Sequence, residues 1–368
     1  NITYRIRDQK RYEICELRYT MRLDILFVKR VVGLPGERIE IRDGDIWVNG
    51  AVARKPSVVQ ASLWQELFPR RAAAPAARPR SVVNAWTASE DHGWSKEGDT
   101  ALRVKPRGTR TSVAAFRDRL DVADVRVGFE AVPADPSAVA VLRVQSRGHE
   151  VTMEVPAAGP GGRLVGIDGE EVRFEAVLGA GARVELGVWD GLAHAVVDGR
   201  EVAAVEIPVV GAGRNRAEIG ARGGELVLRA MRLDEDVHYG TAPGGVNAFE
   251  TGPGEFVMLG DNSRSSEDSR MWRGRRIFVA GRAAPYVAED LSPDLAGGRV
   301  RNVVRSGGRV TFVDADGLPR DLPEDSIVAE EPPVPMPYVP RADLVGRAAL
   351  IFWPVPPFAS SFRPRLLP

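Results

Sequence analysis

Cysteine occurs once in this chain of 368 residues, at Cys15, so neither an internal disulfide framework nor a cysteine-rich metal site can be built. No apolar run reaches the ~18 residues of a membrane-crossing helix. The longest, Ala348 to Phe358, is short and broken by Pro354, Pro356 and Pro357. Neither sign of charge is in excess, since 50 Lys and Arg meet 50 Asp and Glu. Nothing therefore points to nucleic acid or to a strongly acidic substrate. The histidines His92, His149, His194 and His238 lie far apart and show no ligand spacing, so no metal centre is expected. The first residues carry no leader-peptide pattern. Apolar runs of helical period are scarce, whereas glycine (38) and proline (27) are plentiful. That balance predicts mainly β-structure with many turns, in two or three domains.

The predicted strands follow this composition. Ile25 to Val32 is β-branched and aromatic, and Gly33-Leu34-Pro35-Gly36 punctuates it. Arg38 to Arg42 alternates polar and apolar, Asp43-Gly44 is a tight hairpin signal, and Ile46-Trp47-Val48 returns to end at Asn49-Gly50. Leu63 to Phe68 reads as one amphipathic turn, and the Ala-, Pro- and Arg-rich Arg71 to Arg80 as a linker. A second strand-rich unit follows. Val125–Val132, Ala138–Val144, Val172–Val177 and Arg183–Val188 are candidate strands, with turns at Trp189-Asp190-Gly191 and Val197-Asp198-Gly199. Evenly spaced short strands with turn signals predict a sandwich. Val184 to Val202 is similar to the late hairpins of concanavalin-like jelly rolls. A last hairpin is signalled by Val310 to Gly317.

Two polar motifs stand out. The first is Lys29-Arg30-Val31-Val32-Gly33-Leu34-Pro35-Gly36. In an extended strand Phe27, Lys29 and Val31 share one face, so Lys29 sits between apolar neighbours. A lysine must lose its proton to act as a base, and burial among apolar groups favours the neutral amine. A lone lysine on a strand would otherwise read as an edge-protecting charge. The second motif is Gly260-Asp261-Asn262-Ser263-Arg264-Ser265-Ser266-Glu267-Asp268-Ser269-Arg270, directly after the apolar Phe256-Val257-Met258-Leu259.

Together, in this order and with Leu344-Val345-Gly346-Arg347-Ala348 near the end, these motifs resemble the signature of type I signal peptidases, serine endopeptidases with a lysine base. The resemblance covers about a quarter of the chain. It implies that Lys29 is the general base and that Ser266 is the hydroxyl that orients its amine. It implies that Asp268 and Arg270 form a structural ion pair shaping the loop, and that Gly260, Asp261 and Asn262 open it. Asp261 is expected to pair with Arg30. No cofactor is implied. The implied substrates are signal peptides of secretory preproteins, cleaved after small residues in an Ala-x-Ala pattern and bound as an added strand. The implied location is the cell membrane, with the catalytic domain on the extracytoplasmic side.

The expected fold is mainly β: a signal-peptidase-type core interrupted by an inserted, jelly-roll-like β-sandwich. The expected organisation is 1–56 as the first part of the core, 57–82 as a linker and 83–237 as the inserted sandwich. Residues 238–272 are the second part of the core, 273–337 a second insertion, and 338–368 the final part of the core and a tail. One departure from the family is plain. Its nucleophilic serine lies in a segment before the lysine, just after a membrane anchor, and residues 1–28 contain no serine. Two explanations stay open. The sequence is read without its start, which a first residue Asn1 favours, or the chain is an inactive paralogue that kept the scaffold. In the second case the insert defines function, as a glycan- or protein-binding module. Two other serine–lysine and sugar-cleaving classes are disfavoured. Self-cleaving repressors lack the second motif, and Glu170 to Glu175 is not the alternating acidic strand that glycoside hydrolysis would need.

Overall fold

The computed structural model describes residues 6–7, 12–13, 28–69, 85–88, 93–97, 100–108, 110–159, 161–211, 213–241, 245–260, 266–289, 303–315, 318–347, 350–351 and 365–366. The chain is mainly β. By contacts it divides into two units. One is Asn1–Ile39 with Thr241–Gly346, and the other is Glu40–Gly240 with Arg347–Pro368.

The second unit is a two-sheet sandwich. One sheet runs Arg200–Glu206, Leu192–Val197, Ala182–Trp189, Val125–Pro133, Leu226–Glu235, Ala101–Val104, Trp94–Glu97, with Gln65–Phe68 also pairing Leu226–Glu235. The other runs Glu171–Phe174, Gly162–Val165, His149–Pro156, Val139–Ser146, Arg216–Arg222, Thr111–Phe116, Trp86–Ala88. Period-two patterning explains the layers. Val125, Val127, Phe129 and Ala131 are buried, while Arg126 and Glu130 between them are half-buried on the outer face. Leu142, Val144, Met153 and Ile219 meet them from the facing sheet in one continuous core. Each such Val, Leu or Phe gains about 1.5–3 kcal/mol on burial.

The turns follow from residue type. Asp43-Gly44, Asn49-Gly50, Asp190-Gly191 and Asp198-Gly199 all take positive φ at both residues, the geometry that matches strand twist in a two-residue hairpin. The start of the expected 57–82 linker is structured. Ser57–Leu63 is a helix and Gln65–Phe68 a strand of the sandwich, while 70–84 lie outside the described residues. Residues 40–56, read from sequence with the peptidase-like core, group with the sandwich because Asp45 and Lys55 pair with its buried charges.

In the first unit Arg30–Gly33, Glu255–Leu259 and Tyr338–Pro340 form a three-stranded sheet, with Glu255–Leu259 in the middle. Its register sets Val257 opposite Gly33 and, after a bulge, Met258 opposite Val31 and Leu259 opposite Arg30. A further small sheet pairs Arg273–Val279 with Tyr286–Glu289, Ile327–Glu330 and Val334–Pro335. The meander Val304–Ser306, Arg309–Val313, Pro319–Pro323 packs with it around Ile277, Ala288, Val310 and Phe312. Among the described residues no helix is long and apolar enough to cross a membrane.

Candidate active site

The antiparallel register of the three-stranded sheet decides what meets Lys29. Leu259 faces Arg30, so Gly260 leaves its strand beside the start of the lysine strand. Lys29 Nζ donates to Ser266 Oγ at 3.0 Å, across 237 positions of sequence. Gly260 makes the approach sterically feasible. A Cβ on residue 260 would lie 1.7 Å from Ser266 Oγ, 2.7 Å from Ser266 Cβ and 3.4 Å from Lys29 Nζ. The hydroxyl occupies the space that any other residue type would fill.

Asp268 holds the far side of this turn. It is fully buried, and Arg270 is 3% exposed. Arg270 Nε donates to Asp268 Oδ1 at 2.8 Å and Arg270 Nη2 to Oδ2 at 2.7 Å, a bidentate fork. Asp268 Oδ2 also accepts from the backbone N–H of Gly260 at 3.1 Å. The carboxylate therefore ties the glycine to the arginine. Ser269, quoted in the second motif without a role, adds a second tie. Its Oγ accepts from Met258 N at 2.9 Å, and its own N–H donates to Met258 O at 3.0 Å. On the other flank Thr251 secures the Gly33 to Glu37 turn. Its Oγ1 donates to Leu34 O at 2.6 Å and accepts from Glu37 N at 2.9 Å.

The structure thus brings Lys29 and Ser266 together, and Asp268 with Arg270 beside Gly260. Residues 261–265 lie outside the described residues, and with them the expected Asp261–Arg30 pair. The expectation of an enclosed amine needs correction. Lys29 is half-buried, Val31 on its face is 44% exposed, and Val28 is 80% exposed. Among the described residues Arg30–Gly33 pairs with a neighbouring strand on one side only. Phe27, the other apolar neighbour named from sequence, lies outside the described residues.

A neutral lysine amine held by a hydroxyl can accept a proton from a nucleophile. Among the described residues the group that gathers three candidate metal-ligand side chains is Asp45, Asp124 and Asp190 in the sandwich. Arg147 and Lys55 already pair with these carboxylates. His194, by contrast, stacks on Trp189 with centroids 3.6 Å apart, and its Nδ1 lies 2.8 Å from Glu201 Oε2. Burial holds this imidazole below its ordinary value, which outweighs Glu201.

The site therefore pairs a lysine amine with a serine hydroxyl on a small β-unit. Residues 1–82 match the family model described as signal peptidase, peptidase S26. No curated protein matches the chain. Among solved structures, a carbohydrate-binding module from Bacillus subtilis is 10% identical with a TM-score of 0.33, covering 41% of this chain and 96% of that one. The catalytic domain of an endo-1,3-beta-glucanase (laminarinase) from Thermotoga petrophila is 10% identical with a TM-score of 0.32, covering 47% and 98%. The potassium-bound carbohydrate recognition domain of Emp46p is 10% identical with a TM-score of 0.33, covering 41% and 88%.

Proposed function

We propose that this chain carries the base half of a signal-peptidase site, in which Lys29 takes the proton of a serine nucleophile and Ser266 orients the amine. The observation that carries the reading is the 3.0 Å hydrogen bond from Lys29 Nζ to Ser266 Oγ, made by two motifs 237 positions apart. The family match over residues 1–82 supports it and includes Lys29. Asp268 and Arg270 keep the loop in place and move no proton. The substrate is a preprotein segment with small residues at an Ala-x-Ala site, bound in extended form. Among the described residues Arg30–Gly33 pairs on one side only, which supports pairing with such a segment, since an open strand edge offers backbone groups to an incoming one. The work place is the extracytoplasmic face of a membrane. Because residues 1–28 hold no serine, this reading requires the nucleophile to come from outside the 368 residues.

A second reading is an inactive relative that acts by binding a glycan or a protein through its sandwich. One experiment separates the two. The full gene product, with whatever precedes Asn1, is assayed on peptides containing Ala-x-Ala. The peptidase reading expects cleavage that falls about 10²–10⁴-fold in Lys29→Ala, the usual contribution of a general base. Turnover unchanged by that substitution rejects it. No cleavage together with retention on a glycan array supports the binding module.

A further inference from the structure

One end of the sandwich buries more carboxylates than cations. Asp124, Asp190 and Asp236 are each 3% exposed and Asp45 is 8% exposed. They stand just before Val125–Pro133, in the turn after Ala182–Trp189, just after Leu226–Glu235, and at the start of Asp45–Val48. Among the described residues Arg147 and Lys55 pair with them. Arg147 Nη1 donates to Asp124 Oδ1 at 2.6 Å and Nη2 to Asp45 Oδ2 at 2.7 Å. Lys55 Nζ pairs with Asp190 Oδ1 and, at 3.1 Å, with Asp236 Oδ2. Backbone donors complete the net. Asp190 N–H donates to Asp124 Oδ2 at 3.1 Å, Lys55 N–H to Asp190 Oδ2 at 2.8 Å and Val237 N–H to Asp236 Oδ1 at 2.7 Å. Carboxylate oxygens of Asp45, Asp124 and Asp190 lie within 4.8 Å of one another. Asp43, in the turn before Asp45, adds its charge around Arg147.

Among the described residues four buried carboxylates stand against two paired cations, Arg147 and Lys55, an excess of negative charge that water screens weakly; the His238 imidazole also lies against Gly44, the residue before Asp45. Burying an unpaired charge costs more than its neighbours return, and crowded carboxyl groups relieve the cost by keeping a proton. Asp45 is where that relief falls. It has one cation shared with Asp124, whereas Asp190 has the ammonium and backbone N–H of Lys55. We propose that this network retains a proton at Asp45 when folded and acts as a pH-released clasp, fastening residues 43–55 to that end of the sandwich. The proposal does not rest on the peptidase reading.

Burial first, and then the charge of Asp124, push the Asp45 carboxyl up to about 8 against the pull of Arg147 and Lys55. Burial also raises Asp190, opposed by Lys55. Burial works to neutralise Lys55, yet Asp236 and Asp190 hold its ammonium above its ordinary value. Burial likewise opposes the charge of Arg147, and Asp124 and Asp45 prevail. Both cations therefore stay charged while Asp45 changes state. The sign follows. Between the ordinary carboxyl value and about pH 8 the clasped form binds the extra proton and the released form does not, so rising pH weakens the clasp. Below the ordinary value both forms are protonated and this contribution is fully present.

The test is hydrogen exchange of the 45–52 amides in the whole chain, corrected for intrinsic rates, from pH 6 to 9. One proton linked to release raises opening by up to about tenfold per pH unit, flattening above pH ~8. Asp45→Asn, which keeps the size and stays neutral, is expected to hold opening flat across this range and below wild type at pH 9. A flat wild type, or an equal rise in Asp45→Asn, overturns the proposal. So does a wild-type rise abolished by added Ca²⁺ and restored by EDTA, which would make a cation the neutralising species. If the variant does not fold, the carboxyl carbon resonance of Asp45 is titrated in the wild type. A midpoint above pH 6 supports the clasp and one below overturns it.

Discussion

Substituting Gly260 by alanine tests whether the lysine and serine truly meet over a bare backbone. The added methyl would stand 1.7 Å from Ser266 Oγ and 2.7 Å from Ser266 Cβ. Non-bonded carbon contacts settle at about 3.5–4.0 Å, so the serine must retreat by about an ångström or more. Rotating its χ1 relieves the hydroxyl contact but swings Oγ from the 3.0 Å bond to Lys29. The Cβ contact survives that rotation and requires the backbone to give. Overpacking of this kind costs about 1–3 kcal/mol, and the lost hydrogen bond adds about 0.5–1.5 kcal/mol. Two assays read the outcome. The chain has five lysines, Lys10, Lys29, Lys55, Lys96 and Lys105, so reductive methylation with ¹³C-formaldehyde gives a sparse NMR spectrum. The Lys29 dimethylamine resonance is expected to shift in Gly260→Ala while the Lys96 and Lys105 resonances stay. Urea denaturation is expected to show the corresponding loss in stability. A double-mutant cycle isolates the contact, because Ser266→Gly removes both clashing atoms and should cancel most of the penalty. An unshifted Lys29 resonance with unchanged stability in Gly260→Ala would refute the close approach.

Two more substitutions probe buried charge. Asp268→Ala leaves Arg270, 3% exposed, without the carboxylate fork and frees the Gly260 N–H. Removing one partner of a buried pair costs about 3–5 kcal/mol, and a loss under 1 kcal/mol in urea denaturation would count against the clamp. In the sandwich, burial of Glu154 would raise its carboxyl, but hydrogen bonds from Arg163 and Arg222 outweigh it and hold the group below its ordinary value. A depressed carboxyl stabilises above its unfolded value, and that contribution fades as pH falls through the folded value. The stability gap between wild type and Glu154→Gln should therefore be widest near pH 7 and shrink in acid. An equal gap at pH 3 and pH 7 would contradict the sign.

What could be read from the chain beforehand follows a physical division. Turns are local events: Asp-Gly and Asn-Gly pairs tolerate positive φ, and four of the named pairs take it. In Val125–Pro133 the alternation of Val125, Val127, Phe129 and Ala131 with Arg126 and Glu130 declares an inner face in the same way. The helix Ser57–Leu63 declares itself poorly. Its N-cap is Pro56 with no side-chain cap, and Val58 and Val59 are β-branched, so its formation rests on context and not on propensity. Pairing of distant strands is less legible still. Nothing local tells Val125–Pro133 to lie beside Leu226–Glu235, since the pairing joins segments far apart in sequence.

The site divides along the same line. Lys29 and Ser266 could be paired only because two motifs together resemble a known arrangement, since neither has a local reason to seek the other. The Asp45 network had no such template. Asp43-Gly44 and Asp190-Gly191 look like solvent-facing hairpin turns, and most aspartates in turns are just that. What makes Asp45 and Asp190 different is the guanidinium of Arg147 and the ammonium of Lys55, brought in from 102 and 135 positions away respectively. An aspartate in a turn is ordinary until the fold closes over it. Whether it becomes a surface charge or a buried one that must keep its proton depends on which cation arrives and on how many other carboxylates share it.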